Sequence, residues 1–246
     1  MEMAIAGVGK WLGSENPGTK PPAQLLPSRV RARVSILTCA LAEALQRAVD
    51  FQKITTEPSA TVFASAFGET GPLLSLLEQA LSPEGEVSPL MFMYSVHNNA
   101  SGCLSIARGD QGFTTSIAAG EETFLSALFE CYGLLKDGWD SVTLILGDEA
   151  PPHFFVPAEQ RFESMAVALH LVNCSPSGPR RALPRIRLHT RPEENCGKVP
   201  APPNSLVNHP CVSAYQTACL LEASQSGTLR LAAWGPWLID VLPPLD

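Results

Sequence analysis

Two carboxylates, Glu121 and Glu122, stand side by side just ahead of a strongly apolar stretch. At the start of a helix such groups are stabilised by the backbone dipole, by about 0.3–1 kcal/mol. Enclosed by apolar side chains, one of them would have a raised pKa and could act as a base. His209 and Cys211 flank Pro210, but the five histidines are scattered and none has a cysteine or a second histidine at ligand spacing. The sequence therefore points to no metal centre. Gly7-Val8-Gly9 with Gly13 has the look of a dinucleotide loop, yet Asn16-Pro17-Gly18 and Pro21-Pro22 follow where a helix should start. It reads as a glycine turn after a strand. No Gly-x-Ser-x-Gly elbow and no Walker loop occurs, so nothing calls for a cofactor.

The elements that must position these groups are legible from periodicity. Ala4 to Val8 reads as a short strand. Arg29 to Asp50 reads as one helix, with Val30, Val34, Leu37, Leu41, Leu45 and Val49 on one stripe and Ser28 as its N-cap. Arg29, Arg31, Arg33 and Arg47 fall off that stripe, as a solvated face or as a basic patch for an acidic partner. Ala60 to Phe67 is a buried strand, and Gly68 to Pro72 turn it into a helix ending near Leu81. Leu90 to Val96 is apolar, and His97-Asn98-Asn99-Ala100-Ser101-Gly102 is polar and flexible.

Thr114 to Ala118 forms a brief strand. Glu122 to Lys136 is amphipathic, with Phe124, Leu128, Cys131 and Leu135 on one side and Gly138 as a stop. Ser141 to Leu146 and Ala166 to Val172 are apolar strands. Strands alternating with helices predict a layered α/β domain with a largely parallel sheet. Ser175 to Asn208 read as linker, interrupted by Arg185 to Leu188 as an edge strand. A helix over Val212 to Ala223 and strands over Leu229 to Ala233 and Trp237 to Val241 complete the chain.

Composition narrows the function. Hydrophobic residues make up 45% of the 246, enough for a substantial core. The net charge of -7 disfavours nonspecific nucleic-acid binding and polybasic membrane binding. No apolar run reaches the roughly 18 residues of a membrane-spanning helix. The start carries an acid, Glu2, where a signal peptide carries base. Seven cysteines without a Cys-x-x-Cys pair read as reduced thiols, and the expected location is the cytoplasm.

The stretch from Ser95 to Glu149 resembles the N-terminal half of a β-ketoacyl synthase. The likeness rests on Asn98-Asn99-Ala100-Ser101-Gly102, Leu104-Ser105-Ile106-Ala107-Arg108-Gly109 and Thr115-Ser116-Ile117-Ala118-Ala119-Gly120, then the helix Phe124 to Leu135 and the strand to Gly147-Asp148-Glu149. It implies an α/β fold like one thiolase half over residues 1–175: a mixed five-stranded sheet with helices packed on it. Residues 176–246 would be a linker and a short α/β C-terminal extension packing on that half.

Counted back from Glu149, the family's catalytic cysteine position falls on Glu121, with Glu122 the alternative if the register slips by one. A carboxylate cannot carry the acyl group as a thiolate does. The family's two catalytic histidines, from a second thiolase-like half, have no counterpart after residue 175. The resemblance therefore implies a non-catalytic, chain-length-factor-like subunit of the bacterial aryl polyene type. Its partner would be an active β-ketoacyl synthase, with acyl carrier protein reached through the complex. The implied interface comprises Met93, Tyr94, His97, Asn98 and Asn99 together with the strand Thr114, Thr115, Ser116, Ile117 and Ala118. A degenerate decarboxylase or hydrolase using Glu121, and a purely stabilising scaffold, are the alternatives.

Overall fold

A computed structural model describes residues 1–49, 59–83, 85–152, 154–175, 178–190, 199–231 and 235–244. The first strand, β1 (Glu2–Leu12), is twice the length its sequence suggested and runs through both Gly7 and Gly9. Two helical segments follow, α1 (Ser28–Arg31) and α2 (Ile36–Ala48). Next come β2 (Ser59–Ala64), α3 (Thr70–Ala80), α4 (Pro89–Ser95), α5 (Asn99–Arg108) and β3 (Thr114–Ile117). A turn leads into α6 (Thr123–Lys136), then β4 (Ser141–Asp148) and β5 (Met165–Val172). The C-terminal segment adds β6 (Arg185–His189), α7 (Val212–Glu222), β7 (Gly227–Arg230) and β8 (Leu238–Leu242).

These strands form one sheet of eight in the order β3-β2-β4-β5-β1-β6-β8-β7. The first five in that order all come from residues 1–175, and they are the mixed five-stranded sheet that the family resemblance implies. The other three continue the same sheet past β1, which makes eight strands where five were expected. Only β2 with β3 and β2 with β4 are parallel; every other pair is antiparallel, so the sheet is mixed rather than largely parallel.

One core layer lies between the sheet and α6 with α7, built on Phe124, Leu128, Cys131, Leu144 and Leu169. The other lies under α2 and α5, built on Trp11, Leu41, Leu45, Ile145 and Leu104. Burial on both faces explains why β4 and β5 are continuous apolar runs.

Four local expectations are corrected. Gly7 and Gly9 make no turn; a Cβ at Gly9 would lie 2.6 Å from Ala48 N and collide with the Ala44 carbonyl, so glycine is what seats α2 on β1. The helix read from Arg29 breaks before Ser35, whose hydroxyl accepts the Thr38 amide at 2.9 Å and caps a new start. Ser28 is thus the first residue of α1, behind Pro27, and Asp50 lies outside the described residues. His97 to Gly102 is not a flexible loop but the entry into α5. Arg185 to His189 is no edge: β6 is flanked by β1 and β8, and Glu2 holds both Arg185 and Arg187. Ala233 and the linker around 191–198 also lie outside the described residues.

Candidate functional site

The turn between β3 and α6 carries the two carboxylates. Gly120 adopts a left-handed φ of 56°, and Gly120–Glu122 form a single 3-10 turn. Buried Thr123 braces it: its hydroxyl accepts the Ala119 amide at 3.1 Å and donates to the Gly120 carbonyl at 2.7 Å. Glu121 is exposed and Glu122 half-buried at the start of α6. The described residues form no apolar enclosure around Glu121, so the chain by itself does not build the greasy pocket that a Glu121 base would require.

β3 is the outermost strand. Thr114 to Ile117 pair with Thr61 to Ala64 of β2, and among the described residues their outer edge has no partner strand. Thr114, Thr115, Ser116 and Ile117 are half-buried, and Ala118 beyond them is exposed. Such an edge, free of charge and proline, invites another chain. Beside it, Asn98 at the N-cap of α5 and Ser101 and Ser105 within it face Thr114 to Ser116 across a trough of about 430 Å³.

On the far side of α5 lies an apolar groove of about 570 Å³, walled by Val30, Phe92, Met93, Tyr94, Cys103 and Ile106. Phe92, Met93 and Ile106 are 57%, 63% and 82% exposed. Neither α3 nor α4 buries a residue, and Leu73, Leu77, Leu81 and Leu90 are exposed on them as well. Contiguous exposed apolar surface is uncommon on a soluble monomer.

The polar residues of this face are held from behind. Glu69 is buried, and its Oε1 accepts the Thr38 hydroxyl at 2.7 Å and the Asn99 amide at 2.9 Å. Burial pushes its carboxyl above the usual range, opposed by hydrogen bonds from Ser35, Asn99 and Thr38. Asn99 in turn receives the Cys103 thiol at 3.5 Å. His97 Nε2 meets the Ser65 carbonyl at 3.0 Å, with its ring against Gly68, where a Cβ would lie 2.5 Å from Nδ1 and where the φ of 70° also favours glycine. Of the expected interface residues, Met93, Tyr94, Asn98 and Asn99 line the groove, and His97 anchors the entry into α5. The five residues of the β3 stretch form the neighbouring edge. The structure therefore brings both sets together around α5.

A third cluster brings the His209–Cys211 pair, weighed in the sequence without a partner, onto Asp148 at the end of the sheet. Asp148 is buried at the end of β4 and accepts the Ser65 hydroxyl at 2.6 Å and the Phe67 and Ala66 amides at 2.8 and 3.2 Å. Burial raises its carboxyl to about 6. His209 and Cys211 meet it from the start of α7, and the three offer ligand-type atoms within 4.8 Å of one another. Most of those atoms have partners, but His209 Nε2 is buried with no hydrogen-bond partner among the described residues. His209 Nδ1 takes the Cys211 amide at 3.0 Å, the carboxylate takes three donors, and the thiol faces Asp148 Oδ2 at 3.9 Å. The cluster is a hydrogen-bonded staple. Glu69 and Asp148 were not singled out as site residues; a lone acid closing an apolar strand or opening a helix is the one signal that pointed to them.

The mixed sheet with helices on both faces and the sharp turn from β3 into α6 give the fold of the ketosynthase class, built as one thiolase-like half. The model of the β-ketoacyl synthase N-terminal domain matches residues 10–227, and the chain belongs to that family. No curated protein matches it in sequence. Among solved structures it is similar to the ketosynthase ApeO in complex with its chain length factor ApeC from Xenorhabdus doucetiae. The identity is 18% and the TM-score 0.69, over 98% of this chain and 99% of the matched one. It is similar also to the ishigamide ketosynthase/chain length factor, at 14% identity and TM-score 0.65 over the whole of both chains. A β-ketoacyl synthase from Burkholderia phymatum shares 11% identity at TM-score 0.55, over 70% of this chain but only 59% of its own.

Proposed function

We propose that the chain is a non-catalytic, chain-length-factor-like subunit that pairs with an active β-ketoacyl synthase during elongation of a chain on acyl carrier protein, in the manner of the aryl polyene systems. The observation that carries this reading is Glu121 at the turn where the family places its nucleophile. A thiolate at a helix start, with backbone N–H groups to hold an oxyanion, is what condensation uses. An exposed carboxylate supplies neither the sulfur nor the enclosure. The length agreement supports the same reading, since the chain spans whole chains of two ketosynthase–chain length factor complexes but a little over half of a full synthase chain.

In this reading residues 1–175 are the thiolase-like half, and residues 176–246 are an extension that widens its sheet. The synthase docks on the β3 edge and the α4–α5 face, pairing its own edge strand with Thr114 to Ala118. Met93, Tyr94, His97, Asn98 and Asn99 shape the adjoining wall. Obligate interfaces bury about 2,000 Å² or more and are rich in large apolar side chains, as this face is. The complex works in the cytoplasm, and the partner carries the thiol and the histidines.

Co-expression with a candidate ketosynthase tests the assignment. A stable one-to-one complex is the expected product. A chain that stays monomeric and well behaved in the presence of that synthase contradicts the assignment.

A further inference from the structure

The helical pair α3–α4 is anchored to the body of the chain at its root. Neither helix buries a residue, and α3 packs chiefly on α4. At the entry, Glu149 Oε1 accepts the Thr70 hydroxyl and the Gly71 amide, both at 2.7 Å. At the exit, His97 returns to the Ser65 carbonyl, so both ends of the pair are pinned just past the end of β2. Between them, Gln79 Oε1 accepts the Ser88 amide at 3.0 Å and ties the last turn of α3 to the start of α4. Polar bonds therefore set the shape of the pair. Most helical stability in a protein comes from burying an apolar face, and a segment with few buried contacts opens most readily.

The outer surface of the pair is apolar in a regular way. Leu73, Leu77 and Leu81 recur at steps of four and are all exposed, so they form one stripe along α3. Leu90 and Phe92 are exposed on α4. The charges around this surface have one sign. From Thr70 to Ser95 the chain carries Glu78, Glu84 and Glu86 and no lysine or arginine. Glu78 and Glu86 are exposed. An anionic membrane would repel such a rim. A second copy of the pair would bring acid against acid. What fits is a protein surface with an apolar floor and a basic rim. α4 runs on into Met93 and Tyr94, in the wall already assigned to the synthase, so the stripe continues that face.

We infer that α3–α4 is a clasp that closes on the ketosynthase, its leucine stripe bedded on an apolar seat rimmed by lysine or arginine. The inference rests on the heterodimer reading and extends the seam beyond the β3 edge and the α4–α5 face. Burial against the partner supplies the apolar contacts that α3 lacks in the single chain, so the clasp locks only in the complex.

Hydrogen exchange on the single chain and on the purified heterodimer, with pairing affinities of variants, tests the clasp. In the single chain, amides of α3 should exchange at least about tenfold faster than those of α6, and pairing should close that gap. Leu73→Gln/Leu77→Gln should weaken pairing by at least about tenfold. The single chain should still melt within a few degrees of wild type, because both side chains are exposed. Leu73→Met/Leu77→Met should pair within about threefold of wild type. Glu78→Lys/Glu86→Lys should also weaken pairing, by a factor that shrinks at high salt. Unchanged pairing in either the glutamine or the lysine variant overturns the clasp. So does α3 protection that is the same in the single chain and the heterodimer. Dimerisation of the single chain, reversed by the glutamine variant while synthase pairing persists, would give the stripe to a second copy instead. A wild type that takes no synthase contradicts the heterodimer reading as well, whereas an intact heterodimer indifferent to the stripe contradicts the clasp alone.

Discussion

The thiol of Cys211 lies 3.9 Å from the carboxylate of Asp148, so the end of β4 is tied to the first turn of α7 across 63 residues of sequence. The same carboxylate holds Ser65, Ala66 and Phe67 at the end of β2. One buried acid therefore joins the ends of β2 and β4 to the start of α7, at the end of the sheet where the β3–α6 turn also lies. His209 completes the joint, with its ring edge-on to Phe162 at 4.7 Å between centroids.

This joint predicts a cancelling pH dependence. Burial raises Asp148 to about 6 from 3.8, so its contribution to stability is full below pH 4 and is lost as pH rises through 6. Burial lowers His209 to about 3 from 6.5, so its contribution is full above 6.5 and is lost as pH falls towards 3. Between pH 4 and 6 the two slopes oppose, each about 1.4 kcal/mol per pH unit. Relative to wild type, Asp148→Asn should gain stability with rising pH over that window, and His209→Gln should lose it. Urea unfolding at several pH values measures both differences. Parallel curves for all three proteins would remove the joint as an electrostatic unit.

The seat of α2 on β1 predicts a contrast between two glycines. Gly9→Ala drives a methyl into the Ala44 carbonyl and should cost about 3 kcal/mol or more, at the upper end of overpacking penalties. Gly133→Ala, on the exposed side of α6 with open space around it, should stabilise by about 0.5–1 kcal/mol. Thermal melts of the two variants should move in opposite directions.

Ile117→Asp places a charge on the free edge of β3. It should abolish co-purification with the synthase while leaving the melting temperature of the single chain within a few degrees of wild type. Gln225→Asp, exposed beyond α7, serves as the control and should leave the complex intact. A surviving complex in Ile117→Asp means that the synthase sits elsewhere.

Much of this was legible in the sequence, for identifiable reasons. The stripe Phe124, Leu128, Cys131, Leu135 and the run Val142 to Leu146 announce α6 and β4, because burial on a fixed face leaves a periodic trace. The break before Ser35 was hidden, since the apolar stripe continues through it and only the cap marks the new start. Gly7 and Gly9 misled because sequence does not distinguish a glycine needed for a turn from one needed for close approach. The start of α5 was read as loop because asparagine and glycine are poor helix formers. The bond from Asn99 to buried Glu69 overrides that preference. Arg185 and Arg187 suggested an edge because their neutralisation comes from Glu2, more than 180 residues away. The Asp148–Cys211 contact is equally nonlocal and left no local pattern.

The central claim is that the chemistry belongs to the partner, and acyl elongation by the purified chain alone tests it most directly. With malonyl- and acyl-carrier substrates, wild type should give no condensation product. Glu121→Cys should give none either, because a thiol alone does not restore a group that acts as a unit. The described histidines are engaged elsewhere: His97 with Ser65, His170 with Thr143, His189 with Asp240 and His209 with Cys211. Adding the ketosynthase should restore elongation, and replacing that synthase's own active cysteine should abolish it. A condensation product formed by this chain without the synthase would contradict the account.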